Sequence, residues 1–165
     1  GDVTIKGVEF ETTALATDYL TLFGSVGYLD GEYDDKNAPW DGINPISGDP
    51  WLDNELPRLA RWTYSVGASY DVPLNDLGAL SARTDFGVRD SNPYDDANQA
   101  FFDRQKRWNA SLSWLSPNDQ WTVTLFGKNM LDESNYGNIT SIAGLYNAGP
   151  MQRGEEYGLQ IEFRL

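Results

Sequence analysis

The C-terminal segment "EEYGLQIEFRL" alternates strictly between two kinds of side chain. Between its Gly or polar positions stand the apolar positions Tyr157, Leu159, Ile161, Phe163 and Leu165. Because successive side chains of a β-strand point to opposite faces, this alternation predicts a strand with one apolar face and one polar face. It does not by itself reveal which medium contacts the apolar face.

Seven runs of this kind occur along the chain and predict an all-β, antiparallel up-and-down meander. They cover about residues 7–15, 19–29, 61–72, 80–88, 107–114, 121–128 and 155–165. The apolar rows, counted from Tyr157 onward in the last run, carry no charged residue. The opposite rows carry Glu9, Glu11, Arg61, Asp71, Arg83, Asp85, Arg107, Lys128, Glu156, Glu162 and Arg164. Such a separation is typical of a strand facing lipid, and equally of a strand facing a second sheet.

The lengths of the connections favour the membrane barrel. Short turns at about 16–18, 73–78 and 116–119 alternate with long connections at about 30–60, 89–106 and 129–155. In a meander this order places every short turn at one end of the sheet, as the periplasmic turns of outer-membrane barrels are placed. A sandwich with Greek-key links has no reason to keep this order.

Aromatic residues are predicted to form two belts, one at each end of the strands, as expected at two bilayer interfaces. The belt near the short turns would contain Tyr19, Tyr70, Trp114, Trp121 and Phe163. The belt near the long loops would contain Tyr28, Trp62, Tyr64, Phe86, Trp108 and Tyr157.

Composition argues against several classes of function. The chain has no Cys and no His, which removes thiol and imidazole nucleophiles and the usual zinc ligands. The net charge of -13 opposes binding to nucleic acid. Carboxylate neighbours such as Glu155 and Glu156 point to opposite faces of a strand, so they do not converge as a hydrolase pair would. We therefore expect neither an enzyme nor a cofactor.

Three segments carry a family resemblance: "GVEFETTALATDYLTLFGSVGYLDGEY", "LFGKNMLDESNYG" and "RGEEYGLQIEFRL". They resemble the C-terminal barrel region of TonB-dependent outer-membrane receptors, and the likeness spans nearly the whole chain. The resemblance implies a sector of a 22-stranded barrel in the outer membrane of a Gram-negative bacterium. It also implies TonB-driven import of a ferric siderophore, cobalamin or an oligosaccharide.

The resemblance carries expectations about partners and domains. Residues 1–165 would form the C-terminal portion of the receptor barrel, with the plug domain and the earlier strands outside this chain. The partners would be those strands, the plug, the TonB complex through the plug, and outer-membrane lipid and lipopolysaccharide. In the last strand, Glu156, Gly158, Ile161 and Phe163 fit the pattern read by the barrel assembly machinery.

The long loops supply the candidate ligand contacts. Exposed aromatic side chains there would stack on a ligand or, equally, anchor the loops on the barrel rim. These residues are Trp40, Trp51, Tyr94, Phe101, Tyr136 and Tyr146. The acidic run that starts at Asp30 is expected to be a solvated loop, because it lacks the Gly and the terminal Glu of a calcium loop. Phe23 and Phe126, which interrupt the polar rows, are expected to contact whatever fills the barrel lumen.

A soluble β-sandwich that binds carbohydrate through the loop tryptophans is the alternative from a different class. A small outer-membrane barrel enzyme is a third alternative, and the lack of His argues against it.

Overall fold

The protein is seen in a computed structural model, which describes residues 2–35, 54–142 and 146–165. Within these ranges the fold is all-β, with one short 3₁₀ helix at Asn75–Leu77. The strands are β1 (Asp2–Leu15), β2 (Leu20–Asp35), β3 (Trp62–Pro73), β4 (Ala79–Arg89), β5 (Asn92–Pro93), β6 (Phe101–Phe102), β7 (Gln105–Leu115), β8 (Trp121–Lys128), β9 (Thr140–Ile142), β10 (Tyr146–Ala148) and β11 (Glu156–Phe163).

Seven of these strands form one sheet in the order β1-β2-β3-β4-β7-β8-β11. Each neighbouring pair is antiparallel. The remaining strands form two short hairpins in the long connections, β5 with β6 and β9 with β10. The predicted antiparallel meander of seven strands is therefore confirmed. Within the described ranges, no helix is long and apolar enough to cross a bilayer.

The register of the strands aligns apolar residues with apolar residues, and polar residues with polar ones, across the sheet. One row of directly paired residues defines the apolar face: Leu20, Tyr70, Ala82, Leu112, Leu125 and Leu159. The next row defines the polar face: Thr21, Ser69, Arg83, Ser111, Phe126 and Gly158. A shift of one residue between any two strands would mix the rows, so the alternation itself fixes the register.

The apolar face is uncovered in the described part of the chain. Val66 is 59% exposed, Leu125 is 55% exposed and Ile161 is 58% exposed. The buried apolar side chains of the described residues are Leu56, Ala60 and Ile139, all in long connections and none on the sheet. Exposed apolar patches this extensive are rare on soluble monomers, so this face is an interaction surface.

Aromatic side chains meet at both ends of the apolar face. Near the short turns, the rings of Tyr19 and Tyr70 lie edge to face at 6.3 Å. Near the long connections, the ring of Trp62 lies 4.7 Å from Tyr28 and stacks on Tyr64 at 5.7 Å. The nine positions from Trp62 to Tyr70 on β3 match the roughly 9–11 residues that a tilted strand needs to cross a bilayer.

The short turns are closed by local hydrogen bonds and left-handed residues. Thr17 Oγ1 accepts from the amide of Leu20 at 3.0 Å, and Ser116 Oγ accepts from that of Trp121 at 2.9 Å. Gly78 follows the 3₁₀ helix with a φ of 93°, and a Cβ there would lie 1.9 Å from the carbonyl oxygen of Leu115. Only Gly fits this position, which keeps the link from β3 to β4 short.

The first two strands are longer than predicted. β1 begins at Asp2 and β2 ends at Asp35, so the acidic run from Asp30 begins in a strand and not in a loop. The prediction was wrong because the polarity of the faces reverses beyond the pair Gly7–Leu29. There, the side that continues the apolar face bears Thr4, Lys6, Asp30, Glu32 and Asp34.

The side that continues the polar face becomes apolar, with Val3, Ile5, Leu29, Gly31 and Tyr33. Part of this side is covered by the next loop, because Leu56 packs on Gly31, where a Cβ would lie 2.6 Å from Leu56 Cδ1. Val3 and Ile5 remain exposed. Because an extended strand cannot wrap around an ion, the acidic side of this extension does not resemble a calcium loop. Among the described residues, no group of three or more potential ligands is placed to hold a metal ion.

Candidate functional site

The polar face carries a concavity of about 510 Å³, between β4, β7, β8 and the segment that precedes β11. Its charged lining residues are Arg83, Asp85, Arg107, Lys128, Arg153 and Glu156. Four cations and two carboxylates leave the lining with an excess of positive charge, in a chain whose net charge is -13. We call this feature the basic concavity.

The carboxylates of the basic concavity neutralise only part of its charge. Glu156 lies 3.6 Å from the Lys128 ammonium and 3.7 Å from the Arg153 guanidinium, so one carboxylate serves two cations. Asp85 accepts a hydrogen bond of 2.7 Å from the side-chain amide of Asn109. Within the described ranges, neither Arg83 nor Arg107 has a carboxylate within 4.0 Å.

Two aromatic rings on the polar face cover glycines of the neighbouring strand. A Cβ on Gly67 would lie 2.4 Å from the ring of Phe23, and a Cβ on Gly158 would lie 2.4 Å from the ring of Phe126. Each ring also carries a cation. The Arg83 guanidinium lies 4.5 Å from the centroid of Phe23, and the Lys128 ammonium lies 4.8 Å from that of Phe126.

Both rings therefore have partners within the sheet, and contact with whatever fills the barrel lumen stays a prediction. A ring that covers a Gly on the paired strand shields its backbone and fixes the register, because any side chain at the Gly would displace the ring. The cation above the ring is held by attraction to the π electrons. The result is a pair of matching Gly–Phe–cation stacks on the polar face.

At the end of the sheet where the long connections lie, parts of all three connections form a loop cluster, made of residues 54–61, 90–104 and 138–139. Arg58 lies at its centre, with a φ of 61°. Its amide donates to the carbonyl of Pro93 at 2.7 Å, and its side chain donates to Asn138 Oδ1 at 2.7 Å. Its guanidinium also lies 5.6 Å from the ring centroid of Tyr94, and its carbonyl accepts from Arg89 at 2.8 Å.

Asn98 joins two of the connections. Its side-chain oxygen accepts from the amide of Glu55 at 2.8 Å, and its side-chain nitrogen donates to the carbonyl of Glu55 at 2.9 Å. On the neighbouring side, Tyr33 donates to the Asp96 carboxylate at 2.5 Å. Burial, followed by this hydrogen bond and the charge of Asp96, raises the pKa of the Tyr33 phenol. The described parts of the loops are therefore tied to one another and to the end of β2.

The structure describes the side chains of three predicted ligand residues, Tyr94, Phe101 and Tyr136. Tyr94 lies inside the loop cluster, edge-on to Phe102 at 5.9 Å. Phe101 and Tyr136 are each 49% exposed. Trp40 and Trp51 lie outside the described residues, as does the side chain of Tyr146, whose backbone belongs to β10. Ligand contact by these residues stays a prediction.

The four residues of the predicted assembly signal divide between the two faces of β11. Glu156 and Gly158 lie on the polar face, against Lys128 and Phe126. Ile161 and Phe163 lie on the apolar face, and the ring of Phe163 is 4.7 Å from that of Trp121. Recognition by an assembly machinery stays a prediction. The structure gives a separate reason for a glycine at position 158, because the ring of Phe126 occupies the space of a Cβ there.

The basic concavity is the site that sequence reasoning missed. Arg83, Arg107 and Lys128 were assigned to polar rows but come from three different strands. Their convergence depends on the register and on the order β4-β7-β8. Once the strands are aligned in this order, the assignment of all three residues to the polar face is enough to predict that they lie near one another.

Comparison with known proteins agrees with this architecture. The family model described as "TonB dependent receptor-like, beta-barrel" matches residues 1–130. The ferric yersiniabactin uptake receptor FyuA from Yersinia pestis superposes with a TM-score of 0.80 at 14% identity, covering 98% of this chain and 23% of that one.

Two receptors from Acinetobacter baumannii give similar results. The siderophore receptor PiuA has a TM-score of 0.74 at 19% identity, with 98% of this chain and 22% of that one covered. BauA, the ferric preacinetobactin receptor, has a TM-score of 0.66 at 14% identity, with 96% of this chain and 22% of that one covered. The chain thus spans less than a quarter of the length of these receptors. Its match to the family model over most of its length shows that the chain belongs to the family of TonB-dependent receptor β-barrels.

Proposed function

We propose that this chain is a wall sector of an outer-membrane receptor that imports a ferric siderophore with energy supplied through TonB. The observation that carries the proposal is the uncovered apolar face, bordered at both ends by aromatic side chains. In hydrocarbon this face needs no protein cover, and the polar face then lines an aqueous lumen. The long connections lie outside the cell and the short turns lie in the periplasm.

The sheet requires further strands in this setting. β1 and β11 are the outermost strands of the described sheet. An unpaired edge costs several kcal/mol per unsatisfied backbone group in hydrocarbon, so a membrane-spanning sheet must close into a barrel. We propose that other strands of the same receptor close it, and that a plug domain fills the lumen and contacts the TonB complex.

Among the nutrients imported by this family, a siderophore is favoured over cobalamin or an oligosaccharide. FyuA is named as a ferric yersiniabactin uptake receptor, PiuA as a siderophore receptor and BauA as a ferric preacinetobactin receptor. The family and these three proteins are transport receptors and not enzymes. The alternative of a soluble carbohydrate-binding sandwich gains no support, because no second sheet covers the apolar face within the described ranges.

Other partners follow from the same placement. We propose that charged side chains beyond the polarity reversal at Gly7 and Leu29, such as Lys6 and Asp30, lie level with the lipopolysaccharide headgroups, outside the hydrocarbon; the reversal of polarity supports this position. The barrel assembly machinery would insert the receptor through its last strand, β11. A net charge of -13 gives no basis for nucleic-acid binding.

Uptake of radioactive iron tests the proposal. Iron-starved cells carrying the receptor gene should accumulate iron from a siderophore, and cells lacking the gene should not. A protonophore should abolish this uptake while leaving surface binding intact, because the proton gradient drives the TonB complex. Equal uptake with and without the gene from every siderophore tried, hydroxamate, catecholate and carboxylate, would contradict the proposed function.

A further inference from the structure

We propose that the basic concavity is an anion-binding subsite, which selects ferric chelates bearing negatively charged oxygen ligands over neutral chelates. This inference rests on the proposed function, and it deepens that function by assigning a charge class to the substrate. Its key residues are Arg83 and Arg107, which line the concavity from adjacent strands.

The two guanidinium groups are held in place by small neighbours and local contacts. Arg107 is paired across the strands with Gly87, and Arg83 is paired with Ser111, so neither faces a bulky partner. The Arg83 guanidinium rests on the Phe23 ring, and the Arg107 side chain donates to Gln152 Oε1 at 3.0 Å. These contacts restrain both side chains without neutralising their charge.

Neither arginine forms an ion pair in the described structure. Glu156 is shared between Lys128 and Arg153, and Asp85 is engaged by Asn109. A planar guanidinium offers several N–H donors in a fixed fork, which matches two oxygens of a carboxylate or a catecholate. The concavity is therefore more complementary to an anionic oxygen chelate than to a neutral one.

The volume of the concavity is consistent with a small-molecule ligand. About 510 Å³ lies within the usual range of roughly 300–1,000 Å³ for ligand sites. An acidic segment from elsewhere in the receptor is the competing occupant. It would occupy the arginines permanently and make them part of the internal structure of the barrel.

Equilibrium binding to the full-length receptor in detergent tests the proposal. The probes are the trianionic iron(III) complex of a tricatecholate chelator and the neutral iron(III) complex of a trihydroxamate chelator. Binding of each probe is measured by the quenching of tryptophan fluorescence. The test variants are Arg107→Gln and the double variant Arg83→Gln with Arg107→Gln. The matched control is Lys106→Gln, which removes a cation from the next position of the same strand but from the opposite face.

We expect the trianionic complex to bind saturably and more tightly than the neutral one. Arg107→Gln should weaken its binding by about 10- to 100-fold, the loss expected for one charge-assisted hydrogen-bonding group. The double variant should weaken it further, and Lys106→Gln should have little effect. Higher salt should weaken binding to the wild type more than to the double variant.

Three results would overturn the anion subsite. One is the absence of saturable binding of the trianionic complex, and another is equal binding of the two probes. The third is lower thermal stability of the double variant with unchanged affinity for the trianionic complex, which would assign the arginines to an internal segment. If one of these three results were obtained, protonophore-sensitive uptake of the neutral complex would leave the transport function standing. Binding that depends on Arg107, without protonophore-sensitive uptake, would reject the transport function alone.

Discussion

Substitution of Val66 by Arg tests the assignment of the apolar face to lipid. Val66 lies midway between Trp62 and Tyr70 on β3 and is 59% exposed, so its side chain would sit near the bilayer midplane. An Arg at this depth costs about 2–4 kcal/mol of folding free energy. That corresponds to a decrease of about 30- to 700-fold in the equilibrium constant for folding.

Ser65→Arg is the matched control, because it places the same charge one position away on the polar face. It removes the hydrogen bond between the Ser65 and Ser25 hydroxyls, which are 2.7 Å apart, at a cost of about 0.5–1.5 kcal/mol. The assay is urea unfolding of the full-length receptor in phosphatidylcholine liposomes, followed by heat-modifiable migration on a gel. Equal destabilisation by the two substitutions would refute the placement of Val66 in hydrocarbon.

Further predictions concern the last strand, the loop cluster and the pH dependence. Gly158→Val should destabilise the receptor by about 1–3 kcal/mol in the same assay, since its Cβ would meet the Phe126 ring at 2.4 Å; Phe126→Ala should rescue part of this loss, and an additive effect would contradict the contact. Asn98→Ala should accelerate amide hydrogen exchange in residues 54–60, and unchanged exchange there would mean that the side chain is not what joins the loops. The raised pKa of Tyr33 means that its contribution to stability is full below its ordinary value of 10.0 and is lost as the pH rises through the higher folded-state value. Tyr33→Phe should therefore reduce the alkaline loss of stability in urea titrations, whereas an identical loss in both proteins would contradict this role.

The regular part of the fold could be predicted from the sequence because the two faces of each strand meet different surroundings. Alternation located all seven strands of the main sheet, and the lengths of the connections favoured a meander over a Greek-key sandwich. The same rule failed at Val3 and Ile5, where the polarity of the faces reverses. The polarity of each face changes there while the strand continues, so a rule based on polarity predicted β1 and β2 to be shorter than they are.

The parts that could not be predicted depend on contacts between segments distant in the sequence. Phe23 and Phe126 were visible as exceptions, but their glycine partners follow from the register of different strands. The left-handed conformation of Arg58 has no local signal, because it is supported by the carbonyl of Pro93 and the side chain of Asn138. The basic concavity likewise needs the three strands β4, β7 and β8 to be aligned.

Contact between the apolar face and hydrocarbon is the central claim, and spin-label accessibility tests it most directly. Nitroxides attached at Val66→Cys and Leu112→Cys, in the receptor reconstituted in liposomes, should collide more with lipid-soluble oxygen than with an aqueous nickel chelate. A nitroxide at Ser111→Cys, on the polar face beside Leu112, should show the reverse preference. Nickel accessibility exceeding oxygen accessibility at Val66 and Leu112 would contradict the account.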